Sequence, residues 1–87
     1  MYVHLGNNCI IRSDRIIAIF SLKEQKDFYK SFAQNYQKQY RIVKLAEDDD
    51  VYSCILTEDT LYLSSISALT IKKRAEEGFT ALNDTSI

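Results

Sequence analysis

The sequence predicts an α+β fold: a small antiparallel β-sheet, made of a meander plus an N-terminal hairpin, with one amphipathic helix and a short C-terminal helix. Three observations carry this. Short apolar runs rich in β-branched residues recur between turn residues. One stretch, residues 21–40, changes to a helical apolar period. The 87 residues include no proline and only two glycines, so little of the chain is left for loops.

Tyr2 to Leu5 alternates as a strand and stops at Gly6-Asn7-Asn8, residue types that accept positive φ. Cys9-Ile10-Ile11 returns as its hairpin partner, and Ser13-Asp14 breaks the pattern. Arg15 to Phe20 (RIIAIF) is nearly all apolar, the pattern of a central strand covered on both faces. A chain of this size covers both faces only with a helix on one and another sheet or a neighbouring subunit on the other. Ser21 with Glu24 fits a capping box. Leu22, Tyr29, Phe32, Ala33, Tyr36 and Tyr40 then share one helical stripe, with Lys23, Lys26 and Lys30 along its flank.

Arg41 to Ala46 reads as a strand, Glu47 to Asp50 as a solvated turn, Val51 to Thr57 as a strand, Glu58-Asp59 as a tight turn and Thr60 to Leu63 as a strand. Strands in that order form an antiparallel meander. Ser67 caps a last helix over Ala68 to Glu77, with Gly78 placed to end it. One domain over residues 1–78 and a flexible tail over 79–87 are expected.

Composition narrows the function. The apolar share is 46%, with six tyrosines and four phenylalanines, which is globular rather than disordered. No run approaches the roughly 18–20 apolar residues that span a bilayer. The opening MYVHLGNN has no signal-peptide pattern, so a cytoplasmic location is expected, with Cys9 and Cys54 as buried thiols. The net charge of −1 is no footprint for nucleic acid, yet eight of the eleven basic residues fall in the first 46 positions against three acidic ones.

No catalytic residue stands out. The lone His4 has no nucleophile or carboxylate arranged with it, and with Cys9 or Cys54 it gives too few metal ligands. Glu47 to Asp50 lacks the glycine and spaced oxygens of a calcium loop. Phosphate-binding and nucleophile-elbow glycine motifs are absent. No enzyme, cofactor, metal or small-molecule substrate is therefore expected.

The opening, Met1-Tyr2-Val3-His4-Leu5-Gly6, followed by a short strand, a polar break and an apolar strand ending Ile17-Ala18-Ile19-Phe20, resembles the bacterial extracellular-matrix regulators of the RemA/RemB type, most of all the RemB-like branch. Leu61 to Ser67 followed by Thr70-Ile71-Lys72-Lys73-Arg74 resembles that branch's closing pattern. The likeness spans residues 1–74; the helix between its two ends matches in character only. It implies a LytTR-like domain assembled into a ring, acting as a DNA-binding regulator of biofilm-matrix genes. Arg15 stands where a basic residue matters for DNA contact in the RemA branch.

The chain also departs from that pattern. RemA-like proteins carry adjacent arginines in the loop between the middle strands, where this chain has Glu47 to Asp50; they also carry a proline after the apolar strand, which is missing here. Four carboxylates in that loop repel phosphate.

Two functions follow. In the first, a ring of copies binds double-stranded DNA by backbone contacts from Arg12, Arg15, Lys72, Lys73 and Arg74. Its subunits are joined through Ile16, Ile17, Ile19 and Phe20. In the second, the chain is a protein–protein assembly module with no nucleic-acid partner. Simple alternatives exist for the basic residues: a surface pair of Arg12 and Arg15 with Asp14, and favourable placement of Lys72-Lys73-Arg74 toward a helix C-terminus.

Overall fold

A computed structural model describes residues 1–22 and 39–85, with isolated helical positions at Ser31, Gln34 and Asn35; side-chain surroundings are described through Glu76. The elements are β1 (Tyr2–Gly6), β2 (Cys9–Arg12), a 3-10 turn (Ser13–Arg15), β3 (Ala18–Ser21), β4 (Arg41–Lys44), a second 3-10 turn (Asp48–Asp50), β5 (Ser53–Leu56), β6 (Thr60–Ser64) and α1 (Ala68–Thr85). The α+β class holds. The helix expected over Ser21 to Tyr40 lies, apart from its ends and the three isolated positions, outside the described residues.

β1 and β2 form the expected hairpin, with Val3 opposite Ile11 and His4 opposite Ile10. Its turn takes φ +107° at Gly6, +47° at Asn7 and +62° at Asn8, the left-handed region that glycine and asparagine tolerate. The pairing alternates faces. Val3 and Leu5 are buried, while Tyr2 and Ile10 project into solvent.

The second sheet has the order β3-β5-β6-β4 and corrects the sequence reading twice. First, it is mixed rather than a simple meander. β3 and β5 are antiparallel, as are β5 and β6, but β4 lies parallel to β6, with Arg41 opposite Thr60 and Lys44 opposite Leu63. Second, β3 is an edge strand and not a central one. Ile17 is 64% exposed, and Ile16, Ile19 and Phe20 are only half-buried.

The central strands are β5 and β6. Ile55 packs on one face with Val3, Leu5 and Ile71; Cys54, Leu61 and Leu63 pack on the other with Leu22 and Val51. The hairpin and α1 supply the cover of the first of these faces. Ser53, Thr57, Thr60 and Ser64 are buried among these apolar side chains, and each hydroxyl has a partner. Ser53 Oγ donates to the Ile66 carbonyl at 2.7 Å and Ser64 Oγ to the Leu5 carbonyl at 2.5 Å. Thr57 Oγ1 accepts the Thr60 N–H at 3.0 Å, closing the Glu58-Asp59 turn, and the Thr60 hydroxyl donates to Asp59 at 2.9 Å. Satisfied in this way, a hydroxyl sits in a core without the cost of an orphan donor.

α1 begins as predicted. Ser67 Oγ accepts the Thr70 N–H at 3.2 Å and donates to the Thr70 hydroxyl at 2.9 Å. Its length is not as predicted. It does not stop at Glu77 but continues through Gly78 to Thr85, 18 residues in all. A glycine inside a helix costs about 1 kcal/mol relative to alanine, which this helix tolerates.

Both cysteines are free and pack on opposite faces of the sheet. Cys54 is buried, and desolvation pushes its thiol up to about 12; Cys9 is half-buried, with burial also raising it. Only thiolate attacks a disulfide reagent. Ellman's reagent is expected to titrate Cys9 first in the native protein and Cys54 only on unfolding. Two equal fast phases would contradict this packing.

Candidate functional site

The polar break Ser13–Arg15 is a 3-10 turn tied to the chain start: the Ser13 N–H donates to the Met1 carbonyl at 2.9 Å, and the Ile16 N–H to the Ser13 carbonyl at 3.2 Å. The turn joins the open end of the hairpin to the edge strand, and the Ile17 N–H then donates to the Leu56 carbonyl at 2.8 Å. Arg12 stands opposite Tyr2 across the hairpin. Around this junction lies an open groove of about 470 Å³ lined by Arg12, Asp14, Arg15, Ile17 and Glu58.

Its electrostatics are mixed. The Arg12 guanidinium donates to Asp14 at 2.6 Å, both side chains staying about three-fifths exposed, so the pair adds little stability. Asp59, next to Glu58, has its carboxyl held below the usual range. The hydrogen bond from the Thr60 hydroxyl is the main cause; the Thr57 hydroxyl and the field of Arg15 also contribute. The charge of Arg15 is therefore felt at the β5–β6 turn.

The parallel pairing brings a residue that the sequence reading missed. Arg41 opens β4, and its N–H donates to the Asp59 carbonyl at 2.8 Å. Arg15 and Arg41 both act on Tyr62, whose hydroxyl is pushed up chiefly by burial while the two guanidiniums pull it down. One end of the sheet thus gathers Arg12, Arg15 and Arg41 against Asp14, Glu58 and Asp59. No spacing in the sequence signals Arg41; only its register with Thr60 does.

The acidic run lies at the other end. β4 runs from Arg41 at the Asp59 end toward Lys44, and Glu47 to Asp50 follows it. Lys44 Nζ meets Asp48 Oδ1 at 2.5 Å on the exposed surface. Leu45, still paired with Leu63, lies four strand steps or about 13 Å beyond Arg41, more than the screening length of about 8–10 Å at physiological salt. The acidic turn is exposed and cannot itself hold a phosphate, but its field at the arginine end is largely screened.

The other predicted residues are placed apart from the groove. Lys72, Lys73 and Arg74 lie on α1, all exposed, and none lines the groove. Arg74 Nη1 donates to the His4 carbonyl at 2.9 Å, fastening the helix to β1. His4 itself is exposed, and what it gives this contact is its backbone oxygen. Ile16 and Ile19 pack on the Ile55 face, Phe20 on the Cys54 face, and Ile17 projects outward. Among the described residues no group of three or more His, Cys, Asp or Glu could hold a metal ion, and no helix is long and apolar enough to cross a membrane.

Comparison with known proteins agrees with the resemblance read from the two ends of the chain. Extracellular matrix regulatory protein B of Bacillus subtilis (strain 168) is 30% identical over 77 residues, which cover 87% of this chain and 91% of that protein. The family model for extracellular matrix regulatory protein A-like sequences matches residues 2–75, so every strand, the groove and the start of α1 fall inside the match, and the chain belongs to the RemA-like family.

Proposed function

We propose that this chain is a self-assembling regulator of the RemA/RemB type that binds double-stranded DNA through its backbone, with Arg12 and Arg15 as the principal contacts. The supporting observation is that Arg12 and Arg15 line one groove with the exposed Ile17, with Arg41 at the same end of the sheet on the opposite edge strand, β4. Guanidinium groups are suited to paired hydrogen bonds with phosphate oxygens. An uncovered apolar edge is a surface that another copy can close. In a closed assembly, the few arginines of each subunit act together on one duplex. Regulation of extracellular-matrix genes is the role that the family's name supports.

Arg15→Ala is expected to weaken binding of a fluorescent duplex several-fold in an anisotropy titration at low salt, with the assembly's mass by light scattering unchanged. Removing one phosphate neutralisation lowers the slope of log affinity against log salt by about 0.9. An unchanged titration would remove Arg15 as a contact. The second reading, an assembly module without DNA, is favoured by the balance of charge at the groove. An assembled wild-type protein with no anisotropy change at low salt would select it.

A further inference from the structure

We infer that Asp14 is an internal competitor of DNA phosphate for Arg12, so that the two arginines of the groove act unequally: Arg15 is ready for phosphate, and Arg12 joins only when phosphate displaces Asp14. This rests on the DNA contact proposed above and names how that contact is restrained.

Arg12 and Arg15 line the same groove, and both are exposed. Their surroundings differ. Arg12 Nη2 donates to Asp14 Oδ2 at 2.6 Å, a short charge-assisted bond. Arg15 makes no ion pair among the described residues; Asp59 feels its charge only as a field.

The pairing is set by the backbone rather than by the meeting of two wandering side chains. Arg12 ends β2, held opposite Tyr2 by the hairpin. Asp14 sits in the 3-10 turn that follows, whose Ser13 N–H is tied to the Met1 carbonyl and whose Ser13 carbonyl accepts the Ile16 N–H. Two residues apart on a fixed turn, the carboxylate stays within reach of the guanidinium.

The restraint is weak enough to be undone. Both side chains are about three-fifths exposed, and an exposed pair is worth little against water. Phosphate offers the guanidinium paired oxygens for two parallel bonds. Once displaced, however, Asp14 keeps its negative charge and is left beside the phosphate. Part of what Arg12 gains is lost in this way. The groove therefore binds more weakly than two free arginines would, and responds less steeply to salt. Glu58 lines the same groove and also repels phosphate, but among the described residues it holds neither arginine in an ion pair.

The test is a cycle of full-length chains: wild type, Asp14→Asn, Arg12→Ala and the double variant, each titrated with a fluorescent duplex by anisotropy over a range of salt. Asparagine keeps the size of Asp14 and removes its charge. Asp14→Asn should bind about two- to fivefold more tightly, the strength of an exposed pair. Its log affinity should also fall more steeply with log salt, by up to about 0.9 for the phosphate contact that Arg12 gains. Glu58→Gln removes the same charge from the same groove, and measures plain repulsion. Without Arg12, the gain from Asp14→Asn should shrink to that of Glu58→Gln. Asp14 and Glu58 are exposed, and circular dichroism checks folding; Asp14→Ser replaces Asp14→Asn if the latter does not fold. A gain of equal size with and without Arg12 would show that Asp14 only repels phosphate. No gain, or a loss, would show that it does not compete for Arg12. Either result overturns this inference and leaves the DNA reading standing. A wild type and an Asp14→Asn chain that both leave the duplex unbound at low salt would overturn the DNA reading and this inference together.

Discussion

Ile55→Ala is expected to cost about 2–5 kcal/mol of folding stability. The expectation follows from position. Ile55 is fully buried in β5, opposite Ile19 on one side and Tyr62 on the other. It packs with Val3, Leu5 and Ile71, so its side chain joins the hairpin and α1 to the second sheet. Those neighbours belong to different elements and cannot all collapse into the space without moving backbone, which places the cost toward the upper part of the range. A domain of this size has on the order of 4–13 kcal/mol in total, so the variant is left near the limit of folding. Urea denaturation followed by circular dichroism measures it. Ile10→Ala serves as the control, since Ile10 lies largely in solvent, and should change stability by about 0.5 kcal/mol or less. Equal effects from the two would contradict the placement of the core.

That contrast also marks where the fold is legible in the sequence. The hairpin can be read because Gly6, Asn7 and Asn8 are residue types that a positive-φ turn requires, and all three take it up. The start of α1 can be read because Ser67 caps it. Its end cannot: Gly78 has the form of a stop, yet the helix passes through it, since a stop signal costs only about 1 kcal/mol to override. RIIAIF reads as the central strand on the ground that the most apolar run is the most buried. The most buried strands are instead SCIL and TLYLS. Their serines and threonines count as polar in a pattern, and only the hydrogen bonds of the fold reveal them as core residues.

The site divides in the same way. Arg12 and Arg15 flank a local break in the chain, close together in sequence, and can be found there. Arg41 lies far along the chain and reaches the same sheet end only because β4 pairs in parallel with β6. A meander assumes that consecutive strands pair with one another, and it gives no reason to skip β5. Lys72-Lys73-Arg74 reads as one basic unit. On a helix these three residues point in different directions, and Arg74 is drawn to the hairpin through the His4 carbonyl.

Ser64→Ala is the second substitution expected to have a large effect, although it removes a single oxygen. Ser64 is fully buried at the end of β6. Its hydroxyl donates to the Leu5 carbonyl and accepts the Ile66 N–H at 3.0 Å. The first bond joins two sheets that share no strand; the second sets the turn into α1. Alanine leaves a buried carbonyl and a part-buried N–H without this partner, and each such group costs about 1–3 kcal/mol. The hairpin should loosen before the second sheet does, because β5 and β6 keep their own ladder. Hydrogen exchange should therefore accelerate in β1, β2 and the first turns of α1 more than in β5. Ser53→Ala is the comparison: Ser53 Oγ donates to the Ile66 carbonyl, a bond that does not reach the hairpin, and its loss should cost less. If Arg12 makes the DNA contact proposed above, a folded Ser64→Ala protein, whose hairpin carries Arg12, should also bind DNA more weakly, without any change in charge. Uniform exchange across both sheets, or a stability within about 0.5 kcal/mol of the wild type, would show that Ser64 does not join them.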